Sequence, residues 1–154
     1  MDGKTINSFF EAATEIFKEI GFPEADFITD NASGNFEGII ANVGLTGEYN
    51  GFLVFKTNID AASAFIERML ANLGMEHSES GFSQFHKEAI GEIVNQVSGR
   101  AVMKLSENSI NCNITPPTII TGNNLYFDHN QFATKKSKII GGEFGAINIT
   151  VVIK

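Results

Sequence analysis

The sequence predicts an α+β fold, a mostly antiparallel sheet with long helices packed on one of its faces. Three observations predict it. Three segments, 3–20, 59–73 and 81–105, repeat their apolar residues at helical spacing. Other segments, at 36–55 and over the last third, are rich in β-branched and aromatic residues and punctuated by glycine. The segments come in the order helix, hairpin, helix, long helix, strands, and 154 residues suffice for one domain, 1–154, with a sizeable core.

The first helix rests on Ile6, Phe9, Phe10, Ala13, Ile16, Phe17 and Ile20, and Gly21-Phe22-Pro23 ends it. Residues 24–34, rich in Asp, Asn, Ser and Gly, read as a connection. From Phe36 to Tyr49 the chain is strand-like, with Gly38, Gly44 and Gly47 as points of weakness or bulging. Asn50-Gly51 then separates it from Phe52-Leu53-Val54-Phe55, a strong signal for a tight hairpin turn. Asn58 or Asp60 can cap the second helix, whose stripe runs from Ile59 through Phe65, Ile66 and Leu70 to Leu73. Met69 fits there as core filler.

The polar stretch Gly74 to Gly81 leads into the longest helix, with Ser80 or Ser83 as its cap. Phe82, Phe85, Ala89, Ile90, Ile93, Val94, Val97 and Ala101 form its buried arc. Beyond it, Ile110 to Ile114 alternates, and Pro116-Pro117 force a bend or an edge position, since proline has no N–H to give a central ladder. Leu125-Tyr126-Phe127, Lys138-Ile139-Ile140 and Ala146 to Ile153 predict two or three further strands. The last is a long one whose edge could pair with a second subunit.

Composition excludes several functions. A net charge of −7 disfavours nucleic acid and anionic membrane as partners. The single Cys112 rules out an internal disulfide or a cysteine-based metal cluster, and reads as a buried structural thiol. No leader pattern and no apolar run of about 18 residues is present, so a soluble cytoplasmic protein is expected. Fourteen Phe and no Trp point to a phenylalanine-rich core. His86 falls on the apolar arc of the long helix and reads as a packed histidine, while His77 and His129 lie in polar stretches. No paired ligand spacing and no phosphate-binding glycine loop occurs, so neither a metal nor a nucleotide cofactor is expected.

What remains is the outer arc of the long helix: Glu88, Gly91, Glu92, Asn95, Ser98 and Gly99. Glycine inside a helix costs about 0.5–1 kcal/mol relative to alanine, so two of them on this arc suggest that another backbone comes close. Glu92 and Asn95, three residues apart, are surface neighbours. Alone, such a pair is a weak signal and reads first as a solvated face with a hydrogen bond along the helix surface.

The wider pattern resembles the CheX/CheC family of chemotaxis phosphatases. It comprises Glu88-Ala-Ile-Gly-Glu92-Ile-Val-Asn95-Gln-Val-Ser-Gly99-Arg-Ala101, then Pro117-Thr-Ile-Ile-Thr-Gly122, preceded by Ala64-Phe-Ile-Glu-Arg-Met-Leu-Ala-Asn-Leu-Gly74-Met75. The order of elements matches over 1–154, the motifs over 60–122. Glu88 stands where that family more often has Asp or Ser. No second Glu-x-x-Asn occurs, which is similar to the CheX branch and implies a homodimer with a CheC-like fold.

The resemblance implies hydrolysis of an aspartyl phosphate on a phosphorylated CheY-like response regulator, which would bring its own Mg²⁺. Asn95 would then position the attacking water, and Glu92 would pair with a lysine of the regulator. Glu88, Gly91, Ser98 and Gly99 would line the docking surface. The rival expectation is a non-catalytic docking module that binds a regulator or flagellar-switch component. A further one is an unrelated small-ligand-binding dimer.

Overall fold

The structure, a computed structural model, describes residues 1–28, 36–75, 81–128 and 130–154. Ser80, His77 and His129 lie outside the described residues. The elements in chain order are α1 (Gly3–Glu19), β1 (Asp26–Ile28), β2 (Ile39–Gly47), β3 (Gly51–Thr57), α2 (Ile59–Asn72), α3 (Gln84–Glu107), β4 (Cys112–Ile114), β5 (Thr118–Thr121), β6 (Thr134–Gly142) and β7 (Gly145–Ile153).

The sheet runs β1-β6-β7-β3-β2-β4, with β5 also on β2, and every pairing is antiparallel. The period-two alternation sorts the two faces. Ala41, Val43, Leu45, Leu53, Phe55, Ile147, Ile149, Val151 and Ile153 turn toward the helices and join their stripes in one core. The helices therefore cover one face, as the sequence predicts. Phenylalanine carries much of that core: Phe22 and Phe65 stack at 4.3 Å, with Phe17 and Phe144 packed around them. Asp2 and Asn58 cap α1 and α2, accepting from Thr5 N and Ala61 N at 2.7 Å each.

The structure corrects four local expectations. The hairpin is present, but its ladder closes at Leu45↔Gly51, so Gly51 begins β3 rather than completing a two-residue turn. A side chain at Gly51 would run into the Val152 carbonyl of β7, so the glycine serves a close strand approach. Asp26–Ile28, expected as connection, forms edge strand β1. Leu125-Tyr126-Phe127 forms no strand. Instead Phe127 and Phe132 pack on Phe52 from the helix-free side of the sheet, at 5.6 and 6.0 Å. Finally, β7 lies between β6 and β3, both ladders filled, so it has no edge to offer a second subunit.

The two prolines act as expected. β2 pairs with β5 along Ile39–Asn42 and with β4 along Leu45–Gly47. Between them Thr115 bridges to Gly44, donating its N–H to the Gly44 carbonyl at 3.0 Å and accepting from Gly44 N–H on Oγ1 at 2.8 Å. Pro116 and Pro117 follow, so β4 and β5 form one interrupted edge. No described helix is long and apolar enough to cross a membrane.

Candidate functional site

α3 is the element that could display a site, and its 24 residues span about 36 Å at 1.5 Å per residue. Its start is fixed by an unusual cap. The His86 imidazole folds back, and Nδ1 accepts from Ser83 N–H at 3.1 Å. This occupies the place that Glu or Gln takes in a capping box. With Nδ1 accepting there, Nε2 is the ring nitrogen that donates to Glu67 Oε1 of α2, 3.0 Å away. The ring is 0% exposed, so His86 is the packed histidine that its place on the apolar arc predicts.

Its rotation about its own axis is set by two things. Ile90, Ile93, Val94, Val97, Ala101 and Leu105 are buried in the core. On its flank, Arg100 and Lys104 face a row of carboxylates on α1. Arg100 lies 3.0 Å from Glu19 Oε2 and 3.9 Å from Glu15 Oε1, and Lys104 lies 2.8 Å from Glu15 Oε2 and 3.9 Å from Glu11 Oε2. The Lys104–Glu15 contact is off the line of an ideal hydrogen bond but close enough to compensate the charge. It holds the Lys104 ammonium above the ordinary lysine range. These pairs are half-exposed, so each contributes no more than about 1 kcal/mol, but together they favour one rotation. The sequence carried this signal in Glu11, Glu15 and Glu19 against Arg100 and Lys104, all at i, i+4 spacing.

With α3 fixed in this way, Glu88 and Glu92 are exposed and Asn95 is half-buried. Glu92 Oε1 accepts from Gln96 Nε2 at 3.4 Å, a long contact one turn along the surface. The Asn95 amide makes no hydrogen bond among the described residues, yet neither of its polar atoms is sealed from water. Gly99 has open space where a side chain would stand. The three form one patch of carboxylate, amide and bare backbone.

Gly91 and Ser98 do not belong to that patch, which corrects the expectation that they lie on the open face. Both are buried. Gly91 admits Ile119 and Pro117 of the interrupted edge, whose side-chain carbons come within 2.9 and 3.6 Å of where its Cβ would be. Ser98, 2% exposed, donates its hydroxyl to the Val94 carbonyl at 2.8 Å. The small residue at 91 therefore serves packing inside this chain. Its effect on the site is indirect: it brings the Pro117–Ile119 segment against the flank of α3 that carries Asn95.

Other sites are weaker. A cavity of about 780 Å³ lies at the start of α2, lined by Glu37, Asn58, Asp60, Thr121 and Phe144 among others, and neither Glu92 nor Asn95 reaches it. Among the described residues no cluster of three His, Cys, Asp or Glu is placed to hold a metal ion. Cys112 is half-buried, its thiol 3.9 Å from the Tyr49 carbonyl, rather than sealed in the core.

Comparison with known proteins places this geometry. The family model described as chemotaxis phosphatase CheX matches residues 39–137. The CheY-P phosphatase CheX of Thermotoga maritima is 25% identical over 128 residues, covering 81% of this chain and 80% of that one. Among solved structures, chemotaxis protein CheX from Vibrio vulnificus superposes with a TM-score of 0.83 at 16% identity, covering 99% and 100% of the two chains. A chain of the CheX–CheY–BeF₃–Mg²⁺ complex from Borrelia burgdorferi superposes with a TM-score of 0.74 at 19% identity, covering 97% of each.

Proposed function

The chain belongs to the CheX family of chemotaxis phosphatases, and from that premise we propose that it hydrolyses the aspartyl phosphate of a CheY-like response regulator docked on the open face of α3. An acyl phosphate is already reactive, and its transfer to water needs chiefly positioning and charge neutralisation. The regulator supplies the phosphoaspartate and the Mg²⁺ bound beside it. This chain supplies orientation.

Asn95 positions the water. A side-chain amide both donates and accepts, so it can hold a water by one proton and one lone pair in line with the phosphorus. It adds no negative charge beside the phosphoryl oxygens. Glu92, one turn earlier, does what an amide cannot. Its carboxylate pairs with a regulator lysine and fixes the register in which Asn95 enters the neighbour's pocket. Glu88 extends the acidic side of this surface, and Gly99 lets the partner's backbone approach. No covalent intermediate on this chain and no metal of its own is part of the scheme.

The observation that carries the proposal is the Asn95 amide, uncommitted to any described residue and open to water, one turn from exposed Glu92 and beside the space at Gly99. Phosphate release from a phosphorylated CheY-type regulator tests it. Asn95→Ala is expected to remove the catalysed release while the regulator still binds. Unimpaired release would take Asn95 out of the mechanism. Binding without accelerated release by the wild type would convert the proposal to a docking module. A homodimer belongs to the same proposal, and sedimentation equilibrium would measure it.

A further inference from the structure

The helix-free face of the sheet carries a feature with no place in the phosphatase scheme. Register places Lys56 of β3 opposite Asn148 of β7, Thr150 opposite Ser137 of β6, and Val152 opposite Lys135. By strand alternation these side chains share that face. All of them but Val152 line a cavity of about 360 Å³, walled by Phe36 and Leu125 and with Glu37 also at its lining.

Its polar floor is ordered. Thr150 Oγ1 donates to Asn148 Oδ1 at 2.8 Å. Its own single proton is thereby used, so across the 2.7 Å contact with Ser137 Oγ it accepts. The relay ends on Asn148 with the carbonyl oxygen occupied, which leaves the amide N–H groups as what Asn148 can offer a ligand.

The lining holds two lysines, Lys56 and Lys135, against one carboxylate, Glu37. Lys56 is part-buried, and burial together with the nearby Lys135 ammonium holds it below the ordinary lysine range. Among the described residues no carboxylate lies within the 4.0 Å of an ion pair from either ammonium. A part-buried cation with a like charge nearby and no ion-pair partner among the described residues costs stability unless an anion arrives.

From this geometry we infer that the cavity formed by Lys56, Lys135, Asn148 and the Ser137–Thr150 pair binds a phosphate-type oxyanion, either inorganic phosphate or a small organic phosphomonoester. Two ammonium groups and an amide N–H supply donors to the oxygens, and Phe36 and Leu125 give an organic portion an apolar wall. The volume is in the range of small-molecule pockets. The site is distinct from the Glu92–Asn95 face, and it stands or falls independently of the phosphatase proposal.

The test is a titration of the full chain with inorganic phosphate and, separately, with glycerol 3-phosphate, at ionic strength held constant with sodium chloride. Amide shifts by NMR and the melting temperature are followed. A saturable response is expected, with shifts centred on Lys56, Lys135 and Asn148. The Lys56→Met/Lys135→Met double variant should bind about tenfold more weakly or worse, since charged hydrogen bonds are lost, while Asn95→Ala binds as wild type. Tighter binding of the ester than of phosphate would identify the organic ligand as the occupant, and equal binding would identify the free ion. Without any anion, Lys56→Met should melt higher than wild type. Absence of saturation in wild type, shifts mapping elsewhere, or an unaffected double variant would each overturn the inference. The NMR map on wild type decides the matter even if the double variant does not fold.

Discussion

Two glycines, eight residues apart in α3, allow the packing of one helix flank to be weighed directly. Gly91→Ala and Gly99→Ala make the same chemical change inside the same helix, so their gains in helix propensity and their unfolded-state effects nearly cancel on comparison. Each gains about 0.8–1.0 kcal/mol from propensity. At Gly99 a methyl group meets nothing within 4 Å, so the gain should appear whole. At Gly91 it stands 2.9 Å from Ile119 Cδ1 and 3.6 Å from Pro117 Cγ. The Ile119 tip must swing aside, and an off-rotamer torsion costs about 0.5–1.5 kcal/mol. The expected net at Gly91 is close to zero, and the difference between the variants about 0.5–1.5 kcal/mol. Urea denaturation with a common m-value measures it, and Gly99→Ala should also melt about 2–4 °C higher than wild type. Equal stabilities, or a more stable Gly91→Ala, would refute the assignment of Gly91 to packing and Gly99 to open surface. Under the phosphatase proposal the same Gly99→Ala protein, though more stable, should bind the regulator less tightly.

Three further outcomes are expected. Glu92→Lys should weaken association with a CheY-type regulator by charge reversal at the proposed lysine contact, and a binding titration with unchanged affinity would remove that contact. His86→Ala should destabilise by about 2–4 kcal/mol, because a buried ring, its hydrogen bond to the α3 cap and its contact with Glu67 are lost together; chemical denaturation measures this. Acid should lower stability through Glu24 and Asp2. The Arg68 guanidinium bonded to Glu24, and Thr5 bonded to Asp2, hold both carboxyls below their ordinary values of 4.5 and 3.8. In that case the unfolded chain binds protons first, so their contribution is present above those values and is lost as pH falls through and below them. Glu24→Gln should flatten that part of a stability–pH profile, and an unchanged profile would contradict it.

The helices and their inward faces were legible because helical periodicity is a local property and each stripe is unbroken from cap to stop. The pair Glu92–Asn95 was legible as surface for the same reason. Gly91 and Ser98 were not. They sit roughly 100–120° around the helix from Glu92, where periodicity alone cannot tell surface from flank. What buries them is what lies alongside, and Ile119 and Pro117 arrive from a distant part of the chain. Asn50-Gly51 misled in a similar way, since the short-range turn signal yielded to the approach of β7. The aromatic residues near Phe127 have strand-like composition but find their apolar partner in Phe52 on the second face of the sheet. The lysine cavity had no sequence signature at all, because β3, β6 and β7 contribute to it through register.

The interruption at Pro116 and Pro117 also decides what can happen along that rim. A visiting extended peptide would need a continuous row of amide donors to zip on, and two successive positions have none. Lateral growth of the sheet into fibrils or unplanned adducts is therefore blocked on the side nearest Asn95. A visitor there must be held by what projects from α3, so selectivity on that flank rests with side chains and not with backbone stickiness.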